Sequence, residues 1–203
     1  MTNPERFKAP SAWLEGWLPG AARAGATALD VACGSGRHVQ LARDRGYVVT
    51  GLDRDVTGVS GSWHALAPDE PARVRLLAAD LEDGSPWPLP GQTFDVVIVT
   101  NYLHRPRLAD IVSAVADHGM LIYETFAVGQ ERYGRPSNPD FLLRPGELLE
   151  ALQGQLTPFA YEHLIEANPE RLVQRIVAVG PKHRWIAEQT GPDERYGLAS
   201  CVR

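Results

Sequence analysis

Thr27-Ala28-Leu29-Asp30-Val31-Ala32-Cys33-Gly34-Ser35-Gly36, running directly into Arg37-His38-Val39-Gln40-Leu41-Ala42-Arg43-Asp44-Arg45, is the stretch that decides the fold. Thr27 to Ala32 is an apolar run suited to a buried strand, and it stops at a turn made of Cys33, Gly34, Ser35 and Gly36. From Arg37 to Arg45 the residues Val39, Leu41 and Ala42 set an apolar stripe, and Gly46 stands where a left-handed cap ends a helix. A strand, a glycine turn and a helix N-terminus in succession suit a nucleotide-type cofactor, because glycine lets the backbone approach a ligand that the helix end polarises. The plainer reading is a tight connection with no ligand. Asp53 weighs against it. This acid closes the next expected strand, Tyr47 to Leu52, near the ~20-residue spacing at which a carboxylate accepts both hydroxyls of an adenosine ribose. Arg54 follows it directly.

Outward from that turn, β-rich runs alternate with helical stretches, the pattern of βαβ units in a mostly parallel sheet. A helix interrupted by Gly58 and Gly61 is expected over Asp55 to Leu66. A third strand, Arg73 to Ala78, leads into Ala79-Asp80-Leu81, after which Pro86, Pro88, Pro90 and Gly91 impose an irregular connection. Phe94 to Thr100 is nearly all apolar and β-branched, as a central parallel strand covered on both faces requires. Pro106 to Ala116 reads as a helix with Leu108, Ile111, Val112 and Val115 on one side, and Gly119 to Thr125 as the fifth strand. Phe126 to Leu143 has no period, and loops of this length are usually functional or disordered. A short helix over Pro145 to Gln153 and strands at Thr157 to Glu166 and Leu172 to Val179 complete the expectation. One domain should cover residues 1–180, with an N-terminal helical lid at about 8–22, and 181–203 should form a peripheral or poorly ordered tail.

With 203 residues, 44% hydrophobic and 22% charged, the chain fits one globular domain of ordinary size. No run approaches the roughly 18 apolar residues of a membrane span and no signal pattern opens the chain, so a cytoplasmic protein without a membrane partner is expected. Cys33 and Cys201 make no disulfide framework, and scattered histidines without paired cysteines give no zinc spacing; no metal is expected. A net charge of -5 lacks the basic footprint of phosphate-backbone binding, which leaves a nucleic-acid partner unsupported. The positive charge is almost all arginine, Lys8 and Lys182 being the only lysines. Nothing in the composition bears on oligomeric state.

The cofactor can be narrowed from the residues. A dinucleotide turn needs a third small residue where this chain has Val39, and Asp30 would repel a pyrophosphate but suits the ammonium of a methionine moiety. Asp80 fits the adenine amine, with Leu81 offering a backbone N–H and an apolar contact, although Asp80 fits a helix cap or loop turn as well. These features favour S-adenosylmethionine over NAD. Asp30-Val31-Ala32-Cys33-Gly34-Ser35-Gly36, Gly51-Leu52-Asp53, Ala79-Asp80-Leu81-Glu82 and Phe94-Asp95-Val96-Val97-Ile98-Val99 resemble, in order and spacing, the cofactor motifs of class I S-adenosylmethionine-dependent methyltransferases. The resemblance runs from about Thr27 to Val179, with Ala32 in place of the family's first glycine. It implies a Rossmann-like α/β fold whose seven-stranded, mostly parallel sheet has order 3-2-1-4-5-7-6, strand 7 antiparallel, and helices on both faces. It also implies S-adenosylmethionine as methyl donor and S-adenosylhomocysteine as product. Asn101-Tyr102-Leu103-His104-Arg105-Pro106, Tyr123-Glu124-Thr125-Phe126 and the segment from Gly134 to Leu148 are similar to a bacterial subgroup of small, mostly uncharacterised methyltransferases. That subgroup distantly resembles tellurite-resistance-type enzymes.

The candidate cofactor residues are Asp30, Ala32, Cys33, Gly34, Ser35, Gly36, Asp53, Arg54, Asp80, Leu81, Asn101 and Tyr102, with Asn101 acting through its backbone by the resemblance. Methyl transfer is an in-line displacement, so alignment and water exclusion matter most and a base helps only a protonated nucleophile. His104 is the candidate base, and equally fits a loop-orienting or cofactor-contacting role. Tyr102 suits a place by the adenine, the acceptor pocket or plain packing; Glu124 suits a base, a partner for a cationic acceptor, or an ion pair with Arg105 or Arg144. Arg105, Phe126, Arg132, Tyr133, Arg135, Asn138, Phe141 and Arg144 combine guanidinium forks with aromatic walls, fit for an anionic or planar small molecule, or else for a surface ion-pair cluster. Trp13, with Trp17, reads as part of a lid or as a packing anchor. A nucleophilic Cys33 is disfavoured by a cofactor in its turn. The expected function is methyl transfer to a small molecule, an anion among those considered. The alternatives are an RNA or protein methyltransferase, an NAD-linked oxidoreductase, and a regulatory protein that binds the cofactor without catalysis.

Overall fold

The computed structural model describes residues 9–57, 59, 73–152 and 154–189. Seven strands, Thr27–Val31 (β1), Val48–Asp53 (β2), Val74–Ala78 (β3), Phe94–Thr100 (β4), Val115–Phe126 (β5), Thr157–Ala167 (β6) and Glu170–Val179 (β7), form one sheet of order β3-β2-β1-β4-β5-β7-β6. Neighbouring pairs among β1 to β5 are parallel, whereas β7 runs antiparallel to both β5 and β6. The reversal follows from the short β6–β7 connection at Asn168-Pro169, since a tight turn can only join antiparallel strands. The helices are Ala12–Trp17 (α1), Arg37–Asp44 (α2), Leu108–Ser113 (α3), Glu147–Ala151 (α4) and Arg184–Gln189 (α5).

The sheet has a core on each face. Along β4, Val97 and Val99 join Leu121, Tyr123, Ile111 and Leu148 on one side, while Val96 and Ile98 join Leu14, Val39, Met120 and Ile122 on the other. This is why the Phe94 to Thr100 run is apolar without alternation.

Three stretches differ from the expected elements. The helix expected to reach Ala116 ends at Ser113, its first turn is the 3₁₀ turn Arg105–Arg107, and β5 begins at Val115 rather than Gly119. Ala114 is the junction: its N–H still bonds back to the Asp110 carbonyl at 3.0 Å, while its own carbonyl already accepts from Phe94 N at 2.8 Å. A register shift between Phe94 and Val96 absorbs the early start. Second, the segment after β5 closes on itself. Val128 N donates to the Leu143 carbonyl at 2.9 Å and Leu143 N to the Phe126 carbonyl at 2.9 Å, so the loop has a pinned neck. Third, 181–189 packs onto the fold: Trp185 stacks on Phe159 at 4.3 Å and meets Trp17 edge-on at 6.3 Å. Most of the expected 55–66 helix, and the chain beyond 189 with Cys201, lie outside the described residues.

Helix α1 is fastened to the sheet by one residue. Ser11 caps it by accepting from Leu14 N at 3.3 Å, donates its hydroxyl to Glu124 at 3.0 Å, and donates its backbone N–H to His38 Nε2 at 3.1 Å. Because Nε2 accepts, the imidazole proton sits on Nδ1 and is donated to Thr100 Oγ1, 3.0 Å away. Burial, with the Arg37 charge, pushes His38 down to about 3, which keeps this tautomer neutral. Ser11→Ala leaves the Leu14 N–H without its acceptor and takes one donor from Glu124 Oε1, and should cost about 1–3 kcal/mol in urea denaturation. An unchanged midpoint would show that α1 is held by its apolar face alone.

Candidate functional site

Parallel pairing delivers the C-terminal ends of β1 to β5 to one edge, and the chain turns sharply there. Ala32 and Asn101, which follow the neighbouring strands β1 and β4, both hold the left-handed conformation, with φ of 53° and 54°. Such values are uncommon outside glycine, and asparagine tolerates them better than alanine. Gly36 has φ 84°, and a Cβ there would come within 2.7 Å of Val59 Cγ1, so the entry to α2 admits glycine alone. Gly34 donates its N–H to Asp53 Oδ2 at 2.8 Å, and Asp55 N donates to Asp53 Oδ1 at 3.1 Å. The carboxylate is thereby fixed in place with lone pairs to spare.

These turns border a cavity of about 430 Å³. One part of its lining comes from the cofactor motifs: Ala32, Asp53 and Arg54 after β1 and β2, Ala79 to Glu82 after β3, and Asn101 to Leu103 after β4. The facing wall is Thr125, Phe126, Pro136 and Phe141. Behind the turn, Asp30 is buried and neither of its carboxylate oxygens has a hydrogen-bond partner. Burial drives the carboxyl up to about 8, against the opposing pull of Arg37. An unpartnered buried carboxylate is costly, and a cationic group beside it removes the cost. The residues therefore fit S-adenosylmethionine: Asp30 for the ammonium, Asp53 for the ribose diol, and Asp80, one oxygen of which accepts from Glu82 N at 2.9 Å, for the adenine amine.

The remaining candidates separate. Tyr102 lines the cavity, its carbonyl accepts from Tyr123 Oη at 2.8 Å, and its own hydroxyl is buried without a partner. Burial raises that phenol well above the ordinary range. His104 follows on the same loop, past the lining residues, and its carbonyl accepts from Arg107 N at 2.9 Å. Glu124 is buried on the Ile122 side of β5, toward α1, where Arg171 lies at 3.2 Å and Arg175 at 3.4 Å; its ion pairs are with these two and not with Arg105 or Arg144. Cys33 is buried in the turn, and burial raises its thiol, the reverse of an activated cysteine.

The arginines expected around an acceptor are engaged elsewhere or lie outside the cavity lining. Arg105 meets Glu147 twice, at 2.7 and 3.0 Å, and donates to the Asp140 and Leu142 carbonyls. Arg144 pairs with Glu147 and Glu150, both at 3.5 Å. Arg132, Tyr133, Arg135 and Asn138 do not line the cavity, whereas Phe126 and Phe141 do. Trp13 lies under Arg175, 4.7 Å from the guanidinium carbon, and beside Trp17 at 5.5 Å; it is a packing anchor away from the cavity. Sequence reasoning missed Ala79, Leu103 and Thr125, although each adjoins a named strand-end residue, and it missed Pro136, which carried no signal. It also missed Arg107, a buried side chain that donates to the Leu81 and Ser85 carbonyls and so holds the loop expected at the adenine.

Asp30 yields a pH test. Without ligand its folded pKa, about 8, lies above the ordinary 3.8, so the folded state holds a proton the unfolded state has lost, and stability falls as pH rises from 3.8 through about 8. An ammonium ligand needs the carboxylate, so affinity for S-adenosylhomocysteine should rise up to about tenfold per unit toward pH 8, with about one proton released per ligand bound. Calorimetry in buffers of different ionisation enthalpy measures both; flat affinity with no proton release would detach Asp30 from the ammonium.

Residues 28–119 match the methyltransferase domain family. No curated protein has a matching sequence. Among solved structures, a Mesorhizobium loti S-adenosylmethionine-dependent methyltransferase superposes with a TM-score of 0.60 at 19% identity, covering 82% of this chain and 95% of that one. A TehB-like methyltransferase from Corynebacterium glutamicum gives 0.54 at 19% identity, covering 78% and 82%. The Burkholderia thailandensis 1,6-didemethyltoxoflavin-N1-methyltransferase, solved with its substrate and S-adenosylhomocysteine, gives 0.57 at 20% identity, covering 77% and 71%. The strand order is that of the class I methyltransferase fold, and residues 28–119 within it match the methyltransferase domain.

Proposed function

We propose that the protein transfers a methyl group from S-adenosylmethionine to a small-molecule acceptor seated between the end of β4 and the pinned loop after β5. The observation that carries this is the continuity of one cavity from Asp53, Asp80 and Asn101 to the wall of Thr125, Phe126, Pro136 and Phe141. When bound, the donor supplies a sulfonium-activated methyl group. The chain's own contribution is to hold both partners in line and keep water out. In this reading Ala32, Cys33, Gly34, Ser35, Gly36, Arg54 and Leu81 frame the donor, and Tyr102 separates donor from acceptor. His104 and Glu124 are not cavity-lining, which favours alignment over general-base catalysis.

A small acceptor is favoured over RNA by charge. The lining carries Asp53, Asp80 and Glu82 against Arg54, and the whole chain is at -5, a field that opposes a phosphate backbone. No helix among the described residues is long and apolar enough to cross a membrane, and a cytoplasmic location is part of the same proposal.

S-adenosylhomocysteine should raise the melting temperature while NAD leaves it unchanged, and Asp53→Ala should weaken S-adenosylhomocysteine binding by about tenfold or more. With methyl-labelled donor and a fraction of small metabolites, label should pass to a low-molecular-weight product. Stabilisation by NAD alone would mark an oxidoreductase; tight binding with no transfer to any fraction would mark a regulatory binder.

A further inference from the structure

Resting on the methyltransferase reading above, we infer that the acceptor is a flat, uncharged heteroaromatic ring that attacks through a neutral nitrogen lone pair, and that it is not an anion. Three independent features of the acceptor half of the cavity lead there.

The first is shape and polarity. Phe126, Pro136 and Phe141 present rings to the cavity, and Phe141 is 43% exposed while it does so. A large exposed aromatic on a cavity wall is a surface that a flat apolar ligand covers, by offset stacking or edge contact. The wall is also fixed in advance. Arg105 ties the loop after β4 to the Asp140 and Leu142 carbonyls on either side of Phe141, and buried Glu147 holds the guanidinium from behind. A pre-set slot loses little entropy on binding a rigid ring.

The second feature is charge. No cationic side chain among the described residues lines this wall: Arg105 and Arg144 are paired with Glu147 and Glu150, and Arg132 and Arg135 lie outside the lining. The charged lining residues, Asp53, Arg54, Asp80 and Glu82, belong to the donor half. An anionic acceptor would give up its hydration at this wall with no cation to replace it.

The third is the scarcity of proton acceptors. On the acceptor side the titratable lining side chain is Tyr102, whose hydroxyl is buried away from open space. A hydroxyl or ammonium nucleophile would need a base. A ring nitrogen whose conjugate acid is already dissociated at neutral pH needs none. Its lone pair forms the new N–C bond as the C–S bond breaks, the C–S electron pair stays on sulfur, and the positive charge passes from sulfonium to ring.

The test uses isoquinoline and 2-naphthoate, flat bicyclic probes that are neutral and anionic respectively at pH 8. Calorimetry first establishes S-adenosylhomocysteine binding, then titrates each probe into the saturated protein; absence of that first binding would overturn the methyltransferase reading itself. With it present, isoquinoline should bind at least about tenfold more tightly than 2-naphthoate, and methyl-labelled donor should yield N-methylisoquinolinium. Phe141→Ala, at a half-exposed position, should weaken isoquinoline about tenfold and leave S-adenosylhomocysteine affinity within about twofold. Equal or tighter binding of 2-naphthoate, or insensitivity of isoquinoline to Phe141→Ala, would overturn this inference while leaving the methyltransferase reading intact.

Discussion

The site exists because parallel pairing forces five strand ends to one edge, and because two of those ends turn through the left-handed region. β1 lies between β2 and β4, so Ala32, Asp53 and Asn101 emerge side by side although they are far apart in the chain. Backbone bonds lock this arrangement: Cys33 N to the Leu52 carbonyl at 3.0 Å, Ala79 N to the Asp53 carbonyl at 2.9 Å, and Asn101 N to the Glu124 carbonyl at 2.9 Å. Each turn is thus held by its neighbour strand, and the strain at Ala32 and Asn101 is sustained by the whole edge. The acceptor wall is held by the backbone bonds at the neck of its loop and, beyond them, by side chains.

Arginines make many of the side-chain ties across the fold. Arg105 joins one carboxylate and two carbonyls, Arg107 joins two carbonyls and Asp110, and Arg175 joins Glu124, Glu162 and Glu166 while covering Trp13. A planar fork can satisfy several acceptors in fixed directions at once; an ammonium on a flexible stem cannot. Arg105, Arg107 and Arg175 thus act as struts between loops and strands.

This division also marks what was legible in the sequence. Contiguous features read well: the apolar run of β4, the turn at Cys33 to Gly36, the placement of Asp53, and the strand order implied by the motifs. What failed depends on partners distant in sequence. Nothing near Arg105 names Glu147, and nothing near Glu124 names Ser11, Arg171 or Arg175, because those pairings exist only once β7 lies beside β5. The early start of β5 was hidden for a related reason: Val115 has a helix-compatible spacing but is claimed by Phe94 across the sheet. Likewise Trp185 has no periodic neighbours of its own, and finds its place only against Phe159 and Trp17.

The pinned neck of the loop after β5 has a bearing on how such proteins diversify. Phe126, Val128 and Leu143 are joined to each other by backbone bonds, with Gln174 of β7 adding a side-chain bond to the Leu143 carbonyl at 3.5 Å. Gln130, whose side chain accepts from Leu172 N of β7 at 2.7 Å, and buried Leu142 tie the two ends of the loop to the fold, so it is the largely exposed residues between them, 131–141, that can be exchanged, lengthened or shortened with little effect on the sheet or the donor edge. Pro136 and Phe141, two of the four residues on the acceptor wall, lie within that exchangeable span. Selection can therefore rewrite substrate preference through a cassette roughly the length of one loop, while the cofactor half of the protein stays under separate and stricter constraint.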